Sequence, residues 1–479
     1  MNFNKKLAVA VSGAVLLMAG QVALADSATD IVDALVSKGV LTEEEGKLIT
    51  KGHTSKTSVT PVVKEKDGSF TIESANGQNN FGVNGRVHFD HRSYDYDDTT
   101  NATTAEPKGA DTFDIRRARI GVKGKFAKYY SGEVVINAVS VDGVKILDVA
   151  YLDVNWFEKA KFRFGQFKMP FSLEQLTSSN NIDFVERSFV DAYIPAKERG
   201  AQVFGEPFTG VTYGLAVSTG HKAVENTDAA SRELDNGSDG KDIIGRATVN
   251  FAEIMGNKEM VLHAGLALSK GDQTQDINGI GGAQKTRTRS DVTFFTPTTP
   301  AIGAFGREID RTRVGLEGVI AQGPFKLQGQ YLRSNFDFMS AADTNRDLDI
   351  NTMYIQALWT ISGETHASRY KAGAFGGLKP SKNFNPDDLS GGAWEVGFRY
   401  GKFDASDFKD NNYMTQTFYA EARDMTFGIK FVPSPNVRFM MDYVKTDFQN
   451  PGTGVTAANI GGRVEDGEKA LLVRTQLAF

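Results

Sequence analysis

The spacing of Lys285, Arg287 and Arg289 is the first pattern in this sequence that could support binding chemistry. In an extended chain, residues two positions apart point to the same side, so these three cations would form one row. A row of weakly binding cations can pass an anion from one member to the next. The same pattern is also typical of a solvated charge run in a surface loop, and that interpretation stays open here.

A second basic pattern joins Arg116, Arg117 and Arg119. Arginine presents a fork of donors that fits phosphate or carboxylate oxygens. In a strand, Arg117 and Arg119 share one face, whereas Arg116 falls on the opposite face beside Ile120. A bulge, or a strand that begins after Arg116, is needed if all three arginines are to avoid an apolar surface.

The segment 166–200 is too long for a plain turn, and it gathers polar side chains. Hydroxyl groups occur at Thr177, Ser178 and Ser179, and Glu186 and Arg187 follow. A loop folded inward here would narrow the interior of the fold and bring hydroxyls and an arginine into it. A cap on the outer surface is the alternative.

No catalytic or metal-binding set is visible in the sequence. The chain has no cysteine, which excludes a disulfide scaffold and cysteine-ligated metals. The histidines show no metal-ligand spacing; they are His53, His88, His91, His221, His263 and His366. The formal net charge of −5 does not indicate a nucleic-acid binder. We therefore expect no enzyme, cofactor, metal site or nucleic-acid partner.

The elements that must position the cations are β-strands, because a period of two begins near residue 80. In the first strand, Val83, Val87 and Phe89 alternate with Arg86 and His88. An apolar row opposite a charged row is typical of a strand that faces lipid on one side and a lumen on the other. Sixteen such strands are predicted, at 81–94, 112–126, 131–140, 144–157, 160–168, 200–206, 210–219, 242–252, 259–270, 309–322, 325–337, 349–362, 391–404, 418–432, 436–448 and 469–479.

The tenth strand repeats the pattern and places Arg311 and Arg313 on the charged face, opposite Val314 and Leu316. Tight connections alternate with long polar ones, which we assign to outer loops. The long connections are 95–111, 271–308, 363–390, 405–417 and 449–468. The sequence therefore predicts an all-β fold, a transmembrane antiparallel β-barrel of about 16 strands.

The N-terminal region differs from the barrel. A positive start, an apolar run and a small-x-small site at Ala23-Leu24-Ala25 predict a signal peptide over 1–25. Residues 26–75 have rough helical spacing, with a second short helix beginning at Thr42, and then a polar linker over 51–68. We expect a short helical periplasmic segment over 26–75, followed by the barrel over 76–479.

The C-terminal strand alternates in polarity and ends in Phe479. A terminal strand that ends in phenylalanine resembles the signal by which outer-membrane barrels are recognised for insertion. The barrel-assembly machinery is therefore an expected partner, through Phe479.

From about Phe81 to Phe479 the chain resembles the phosphate-selective porin O/P family. The matching motifs keep their order along the chain: Gly85-Arg86, Arg116-Arg117-Ala118, Phe164-Gly165-Gln166-Phe167, Leu173-Glu174, Thr177-Ser178-Ser179, Glu186-Arg187, Gly315-Leu316-Glu317-Gly318, Gln356, Ser362-Gly363-Glu364, Gly392-Ala393-Trp394-Glu395 and Arg399-Tyr400. The resemblance implies a trimeric barrel of sixteen strands whose third loop folds inward.

The resemblance also implies an arginine ladder that leads to a central anion site of lysines. The ladder positions correspond to Arg86, Arg116, Arg117, Lys285, Arg287 and Arg289. The central site corresponds to Lys371, Lys379, Asp148 and Arg187. Where the family has a third central lysine, this chain has Gln175. Two aromatic positions of the constriction fall at Arg119 and Lys168, and these two cations could restore the lost charge.

Taken together, these features predict a porin in the outer membrane of a Gram-negative bacterium. It would be a passive channel that prefers anions such as phosphate or polyphosphate, surrounded by outer-membrane lipid and assembled as a homotrimer. One alternative is a general porin for small acids or neutral solutes, in which lumen cations merely offset Asp90, Glu317 and Glu395. Another is a structural or adhesive surface barrel that uses acidic loops such as 94–98.

Overall fold

A computed structural model describes residues 32, 34–49, 60–66, 69–95, 111–139, 147–219, 241–273, 286–297, 309–339, 344–416, 418–453 and 467–479. The predicted signal peptide over 1–25 and the predicted ladder residue Lys285 lie outside these residues. The chain divides into two compact units. The smaller consists of Met1–Val83 with Val122–Ser131, and the larger of Asn84–Gly121 with Gly132–Phe479.

The structure is built almost entirely of strands. They are β1 (Val62–Lys66), β2 (Ser69–Glu73), β3 (Asn80–Asp95), β4 (Thr112–Phe126), β5 (Tyr130–Asn137), β6 (Leu147–Val154), β7 (Lys161–Lys168), β8 (Lys197–Phe208), β9 (Val211–Ser218), β10 (Asp242–Asn250), β11 (Met260–Gln273), β12 (Thr286–Arg287), β13 (Thr293–Phe295), β14 (Ile309–Gln322), β15 (Phe325–Met339), β16 (Asn345–Thr360), β17 (Tyr370–Lys371), β18 (Ala374–Phe375), β19 (Ala393–Asp404), β20 (Tyr419–Ser434), β21 (Val437–Pro451) and β22 (Gly467–Ala478). Helical turns occupy 34–37, 43–49, Leu173–Leu176, Val190–Tyr193, Phe251–Ile254, Ala367–Arg369 and Ser406–Asp410.

The smaller unit contains the N-terminal helices and a hairpin. The helix over 43–49 begins as predicted, because the Thr42 hydroxyl accepts the Glu45 backbone N–H at 3.2 Å while the Glu45 carboxylate accepts the Thr42 backbone N–H at 2.9 Å. The end of the predicted linker is different from expectation. Val62–Lys66 forms β1, which pairs with β2, and β2 pairs in turn with the start of β3.

The larger unit is a closed antiparallel barrel of sixteen strands, namely β3–β11, β14–β16 and β19–β22. Closure occurs where β22 pairs with β3. There the Gly85 N–H donates to the Phe479 carbonyl at 2.8 Å, and the Phe479 N–H returns a bond to the Gly85 carbonyl at 3.1 Å. The Phe479 ring lies over Gly85, where a Cβ would meet the end of the ring, so a larger residue at Gly85 would require the ring to move. The predicted fold class and strand number are confirmed.

Burial alternates along the barrel strands as the sequence pattern predicts. On β14, Leu316 and Ile320 are each 50% exposed, whereas Arg313 and Glu317 are buried. Outward apolar and inward charged side chains are the arrangement that lipid on one side and a lumen on the other requires. Within the described residues, no helix is both long enough and apolar enough to cross a membrane.

Several described segments enter the lumen, including 169–196, 286–297 and 361–392. Inner loop 1 (169–196) joins β7 to β8, and its Val185 N–H donates to Asp442 on β21 at 2.7 Å. Its Leu173 N–H donates to Glu317 on β14 at 2.9 Å, so the loop contacts two well-separated parts of the wall. This confirms the predicted inward folding of the third loop.

Inner loop 2 (361–392) corrects one sequence-based assignment. The stretch 363–390 was assigned to the outer loops by its length, but counting strands places it at the end of the barrel that carries the tight turns. There the His366 N–H donates to the Gly323 carbonyl at 3.0 Å, and the Phe384 N–H donates to Pro433 at 2.8 Å. Loop length could not reveal this, because strand parity alone decides at which end a connection lies.

The main apolar core lies inside the barrel rather than on its surface. Phe403 on β19 packs against four aromatic rings from lumen segments, with centroid separations of 5.1 to 6.1 Å, to Phe189, Tyr193, Phe294 and Phe295. Aromatic contacts of this kind add to the stabilisation from buried area. This cluster holds inner loop 1 against β14–β16, β19 and β20.

Candidate functional site

The facing of Arg116 is resolved by a parity change within β4. Phe113 and Ile115 are exposed on one parity, and Ile120 and Val122 are exposed on the other. The strand therefore changes register between them, as the sequence-based requirement for a bulge anticipates. As a result Arg116 reaches Glu186 of inner loop 1 at 3.0 Å, and Arg117 also faces the lumen.

Most of the predicted pathway cations are ion-paired. Arg119 lies 3.0 Å from Asp148, and the same carboxylate also pairs with Lys197. Arg311 and Arg313 lie 3.0 and 3.1 Å from Asp242. A carboxylate beside each cation cancels much of its field, so these arginines alone make a poor attractor for an anion.

Glu186 gathers several cations of the β3–β4–β22 wall. Arg116 and Arg474 lie 3.0 and 3.1 Å from its carboxylate, and Arg92 lies 3.6 Å away. Burial alone raises the pKa of Glu186, but the attraction of Arg116 and Arg474 outweighs burial and holds its pKa well below the usual range. Glu186 therefore stays ionised and holds inner loop 1 to this wall.

Arg287 and Arg289 do not share a face, contrary to the row expected from their spacing. β12 ends at Arg287, and a turn follows in which the Asp291 N–H donates to Thr288 at 3.0 Å. Arg287 is exposed and pairs with Asp291 at 2.9 Å, whereas Arg289 is buried against Phe189 and lies 3.4 Å from Asp424. Spacing of two aligns side chains in an extended chain, and this chain turns.

Four other lumen cations surround the tip of inner loop 1, and we call them the basic cluster: Arg86, Lys168, Arg187 and Arg438. Arg86 donates to the Ser179 hydroxyl at 2.7 Å. Lys168 and Arg187 both donate to the Thr177 carbonyl, at 3.1 and 3.0 Å.

Arg438 completes the basic cluster and bridges the two inner loops. Its guanidinium donates to the Asn180 carbonyl of inner loop 1 and, at 3.4 Å, to the Leu378 carbonyl of inner loop 2. The loops also meet directly, since the Phe375 N–H donates to the Thr177 hydroxyl at 3.5 Å. The narrow part of the lumen is therefore made by loops from both barrel ends.

The partners of the basic cluster are carbonyls and hydroxyls rather than carboxylates. Within the described part of the chain, Arg86, Lys168 and Arg438 have no carboxylate within ion-pair distance, and Arg187 approaches Asp191 only at 3.7 Å. Neutral acceptors position a cation without cancelling its charge. The cluster therefore keeps a net positive charge at the constriction.

The remaining predicted central residues surround this region less closely. Lys371 and Lys379 of inner loop 2 are exposed, and Lys371 forms no ion pair with any described residue. Gln175 is buried, and its side-chain oxygen has no hydrogen-bond partner among the described residues. Asp148 lies on β6 and pairs with Arg119 and Lys197 rather than with Arg187.

A small pocket lies between the inner loops and the wall, next to the contact between Thr177 and Phe375. Its lining carries three carboxylates, Glu174, Asp183 and Glu186, and two cations, Lys326 and Arg399. This lining is not net basic, so the cavity is a poorer anion site than the basic cluster.

Sequence reasoning missed Arg438. This residue is buried on β21, next to the exposed Phe439. Strand parity predicts that Arg438 faces the lumen. It gives no sign that two loops meet there, because these contacts join residues far apart in sequence. Within the described residues, no group of three or more acidic or histidine side chains is arranged to hold a metal ion.

Comparison with known proteins gives consistent matches. The family described as "Phosphate-selective porin O and P" matches residues 81–479. Porin O of Pseudomonas aeruginosa is 24% identical over 411 residues, which cover 80% of this chain and 86% of that protein.

Among solved structures, the trimer form of OmpT, an outer membrane protein of Vibrio cholerae, superposes with a TM-score of 0.50 at 9% identity, covering 84% of this chain and 99% of OmpT. An anion-selective porin from Comamonas acidovorans gives a TM-score of 0.47 at 13% identity, covering 84% and 100%. The OmpT likeness supports the barrel fold. Because the family match spans the whole barrel, the chain belongs to the phosphate-selective porin O and P family, and it is an outer-membrane porin of the Gram-negative type, a passive channel and not an enzyme.

Proposed function

We propose that this porin prefers anions and that phosphate, or a chain of phosphates, is the class of solute that it favours. The observation that carries the proposal is the basic cluster, in which Arg86, Lys168 and Arg438 have no carboxylate partner among the described residues. A permeating anion would therefore provide the negative charge that these three cations lack in the protein. The family description supports the same solute class.

In the proposed mechanism, an anion exchanges part of its hydration shell for several weak contacts at the constriction. Arg86 offers charged donors, and the Ser178 and Ser179 hydroxyls lie beside it at 3.4 and 2.7 Å. Lys168 adds positive charge, although its ammonium already donates to the Gln175, Leu176 and Thr177 carbonyls. Gln175 is neutral where the family has a lysine, and its unpartnered side-chain oxygen is an acceptor that adds no contact for an anion. Several weak contacts attract an anion yet let it leave, as conduction requires.

Lys371 and Lys379 would supply further positive charge from inner loop 2, on the side that faces the tight turns. Arg116, Arg117 and Arg289 would then line the approach, as the ladder of the family implies. Arg119, which falls at a constriction position of the family, and Arg311 and Arg313 of the charged face of β14 would lie beside them. Most of these arginines have carboxylate partners. We therefore propose that they attract permeating anions only weakly and that the basic cluster determines the anion selectivity of the channel.

A general porin for small acids or neutral solutes is the second candidate, and the ion pairing favours it. Asp148, Asp242, Glu317 and Asp424 each lie beside one or two lumen cations, so these carboxylates offset part of the positive charge of the wall. A wall of this kind predicts weak selectivity and no block by phosphate.

Single-channel recording in a planar bilayer tests the proposal. We expect an anion-selective reversal potential in chloride and a saturable block when phosphate is added in steps. A variant with Arg86→Gln, Lys168→Gln and Arg438→Gln should lose both properties, whereas Arg287→Gln, which removes an exposed cation paired with Asp291, should keep them. A linear conductance that phosphate does not change would reject the proposal and leave the general porin.

We also propose that the mature porin starts after the signal peptide over 1–25, assembles as a homotrimer and is inserted by the barrel-assembly machinery through Phe479. The trimer is supported by the OmpT trimer form. Molecular mass of the unheated protein in detergent tests the trimer, and N-terminal sequencing of the mature protein tests the cleavage site. Deletion of Phe479 should lower the amount of porin in the outer membrane.

A further inference from the structure

One carboxylate of the lumen is shared by two buried cations. Asp148 on β6 lies 3.0 Å from Arg119 on β4, and it also accepts a charge-assisted hydrogen bond from the ammonium of Lys197 on β8. Within the described residues, neither Arg119 nor Lys197 pairs with a second carboxylate. We call these three residues the Asp148 triad.

The Asp148 triad keeps one positive charge, because two cations share one carboxylate. After Asp148, the charged groups that act most strongly on Arg119 are Arg86 and Arg187, and both are cations of the basic cluster. Lys197 is influenced in the same way, by Arg119 and Arg86 beside Asp148. The surplus charge of the triad therefore adds to the charge of the basic cluster.

Two further acids of this region act on other cations. Glu133 influences Arg86, and its carboxylate accepts a hydrogen bond from Tyr151 at 3.2 Å. Asp191 lies 3.7 Å from Arg187. Neither carboxylate ranks among the strongest influences on the two cations of the triad, so both acids leave its surplus charge largely in place.

The strand register places the triad at the root of inner loop 1. Lys197 is the direct cross-strand partner of Lys168, at the point where β7 and β8 lead into the loop. Like charges directly opposite each other repel, and the two ammonium groups turn to different acceptors. Lys168 donates to loop carbonyls such as that of Thr177 at 3.1 Å, whereas Lys197 turns to Asp148.

The same strands also carry an ion pair of the opposite kind. Arg163 on β7 donates to both carboxylate oxygens of Asp153 on β6, at 2.7 and 2.9 Å, and Asp153 has no second cation among the described residues. This one-to-one pair is neutral. Arg163 precedes Lys168 by five residues, which places its backbone about 17 Å further toward the tight turns.

We propose that Lys197 is a positioning residue for anion selectivity. Its ammonium takes up the charge of Asp148, so that Arg119 still attracts a permeating anion at the constriction, where Gln175 supplies no charge. This inference rests on the proposed anion preference. It adds a residue that neither the spacing of the cations nor the family resemblance indicated.

The test compares the full-length porin with Lys197→Gln in planar bilayers at about 0.1 M salt, where screening acts over about 10 Å. Without the ammonium, Asp148 cancels Arg119 and the triad becomes neutral. One charge about 6 Å from a monovalent ion in water corresponds to roughly a threefold change in the chloride-to-potassium permeability ratio. The same charge corresponds to as much as about a tenfold change in the phosphate concentration that halves the conductance, since phosphate carries up to two charges. We expect both values to shift toward weaker anion preference.

Removal of the carboxylate separates a role through Asp148 from a direct contact with the anion. Asp148→Asn alone should raise the chloride-to-potassium ratio above that of the wild type. Combined with Lys197→Gln, it removes one charge of each sign, so the ratio should return toward the wild-type value. Lys197→Arg keeps the cation and should retain most of the anion preference. Arg163→Gln, the matched control, removes one lumen cation far from the basic cluster and should change the ratio by well under about twofold.

An unchanged permeability ratio in Lys197→Gln would overturn the proposal. An equal loss in Lys197→Gln and in the double variant would overturn it as well, because Lys197 would then act by its own contact or by holding the fold. If Lys197→Gln does not show the heat-modifiable migration of a folded barrel, Asp148→Asn provides the test, and a ratio that stays the same or falls rejects the proposal. A wild-type channel that phosphate does not block would reject the proposed function alone, since the chloride-to-potassium ratio still measures the effect of Lys197.

Discussion

The two sides of the lumen hold inner loop 1 in different ways. On the side of β14–β16, β19 and β20, aromatic side chains such as Phe189 and Phe295 pack around Phe403. On the side of β3, β7 and β21, the tip of the loop rests on Arg86, Lys168 and Arg438 through carbonyls and hydroxyls. We call these the apolar wall and the basic wall.

The difference shows how one loop can be both rigid and charged. Apolar packing is insensitive to the ions that pass, so the apolar wall can fix the loop without consuming charge. The basic wall then does not need carboxylates to hold the loop, and its cations stay available to a solute. Where carboxylates do anchor the loop, as Glu186 does, the neighbouring arginines are neutralised.

The apolar wall is tested by Phe403→Ala. Deleting a buried phenylalanine ring costs about 3–5 kcal/mol, so the barrel should unfold at a clearly lower temperature. Phe398→Ala on the outward face of the same strand is the control, because Phe398 is 48% exposed. Thermal unfolding in detergent gives the comparison, and equal loss in the two variants would contradict an anchoring role for the apolar wall.

Inner loop 2 is anchored by polar contacts, and these should respond to pH. Arg369 donates to His366 Nδ1 at 2.6 Å while His366 Nε2 lies 3.1 Å from the Pro324 carbonyl, an arrangement that fits neutral histidine. Burial, aided by Arg369, lowers the pKa of His366 to about 3 from an ordinary value near 6.5.

The sign of that dependence follows from linkage. Below pH 6.5 the unfolded chain protonates His366 and the folded chain does not, so stability present above pH 6.5 falls as the pH drops toward 3. Between pH 7.5 and 5 the loss is about 2 kcal/mol. Unfolding temperatures of the wild type and of His366→Gln across this pH range measure the loss of stability. If the unfolding temperature of the variant depends on pH as steeply as that of the wild type, another group causes the pH dependence.

Charge reversal in inner loop 2 tests whether Lys371 and Lys379 contribute to selectivity beside the basic wall. One charge about 10 Å from a permeating ion is worth about 0.4 kcal/mol in water. Lys371→Glu with Lys379→Glu changes four units of charge, which corresponds to roughly a tenfold change in the permeability ratio and should abolish anion preference. Lys382→Glu, an exposed residue of the same loop bonded to Ser390, is the control in reversal-potential measurements. Unchanged selectivity would remove Lys371 and Lys379 from the site.

The smallest effect is expected where a neutralising acid is removed. Asp424→Asn leaves Arg289 without the carboxylate that lies 3.4 Å away. One uncovered charge should raise the anion-to-cation permeability ratio roughly twofold. A ratio that stays the same or falls would show that Arg289 does not act on permeating ions, as its packing against Phe189 alone would allow.

Local sequence patterns predicted much of the fold. Alternation on β14 placed Arg313 and Glu317 inside and Leu316 outside, and the structure agrees because each strand in a lipid-bounded barrel must satisfy both surfaces by itself. The same rule demanded a bulge near Arg116, and the parity change there meets that demand. Thr42 and Glu45 form a capping box, a purely local motif, and it begins the helix where predicted.

The candidate site was less accessible to sequence reasoning. The spacing of Arg287 and Arg289 suggested a row, but a turn stabilised by contacts with distant strands separates their side chains. The stretch 363–390 was long and polar like an outer loop, yet it enters from the other end. The role of Arg438 could not be predicted, because its two partners, Asn180 and Leu378, come from separate loops.

Periodicity and motifs were enough to predict the sixteen-stranded barrel, the inward parity of the charged residues on strands such as β14, and the family. These properties follow from periodicity and motifs that act within a few residues. Which cations keep their charge could be read only from the folded chain. Neutralisation depends on whether a carboxylate lies within a few ångströms, and inner loops packed between distant strands set those distances.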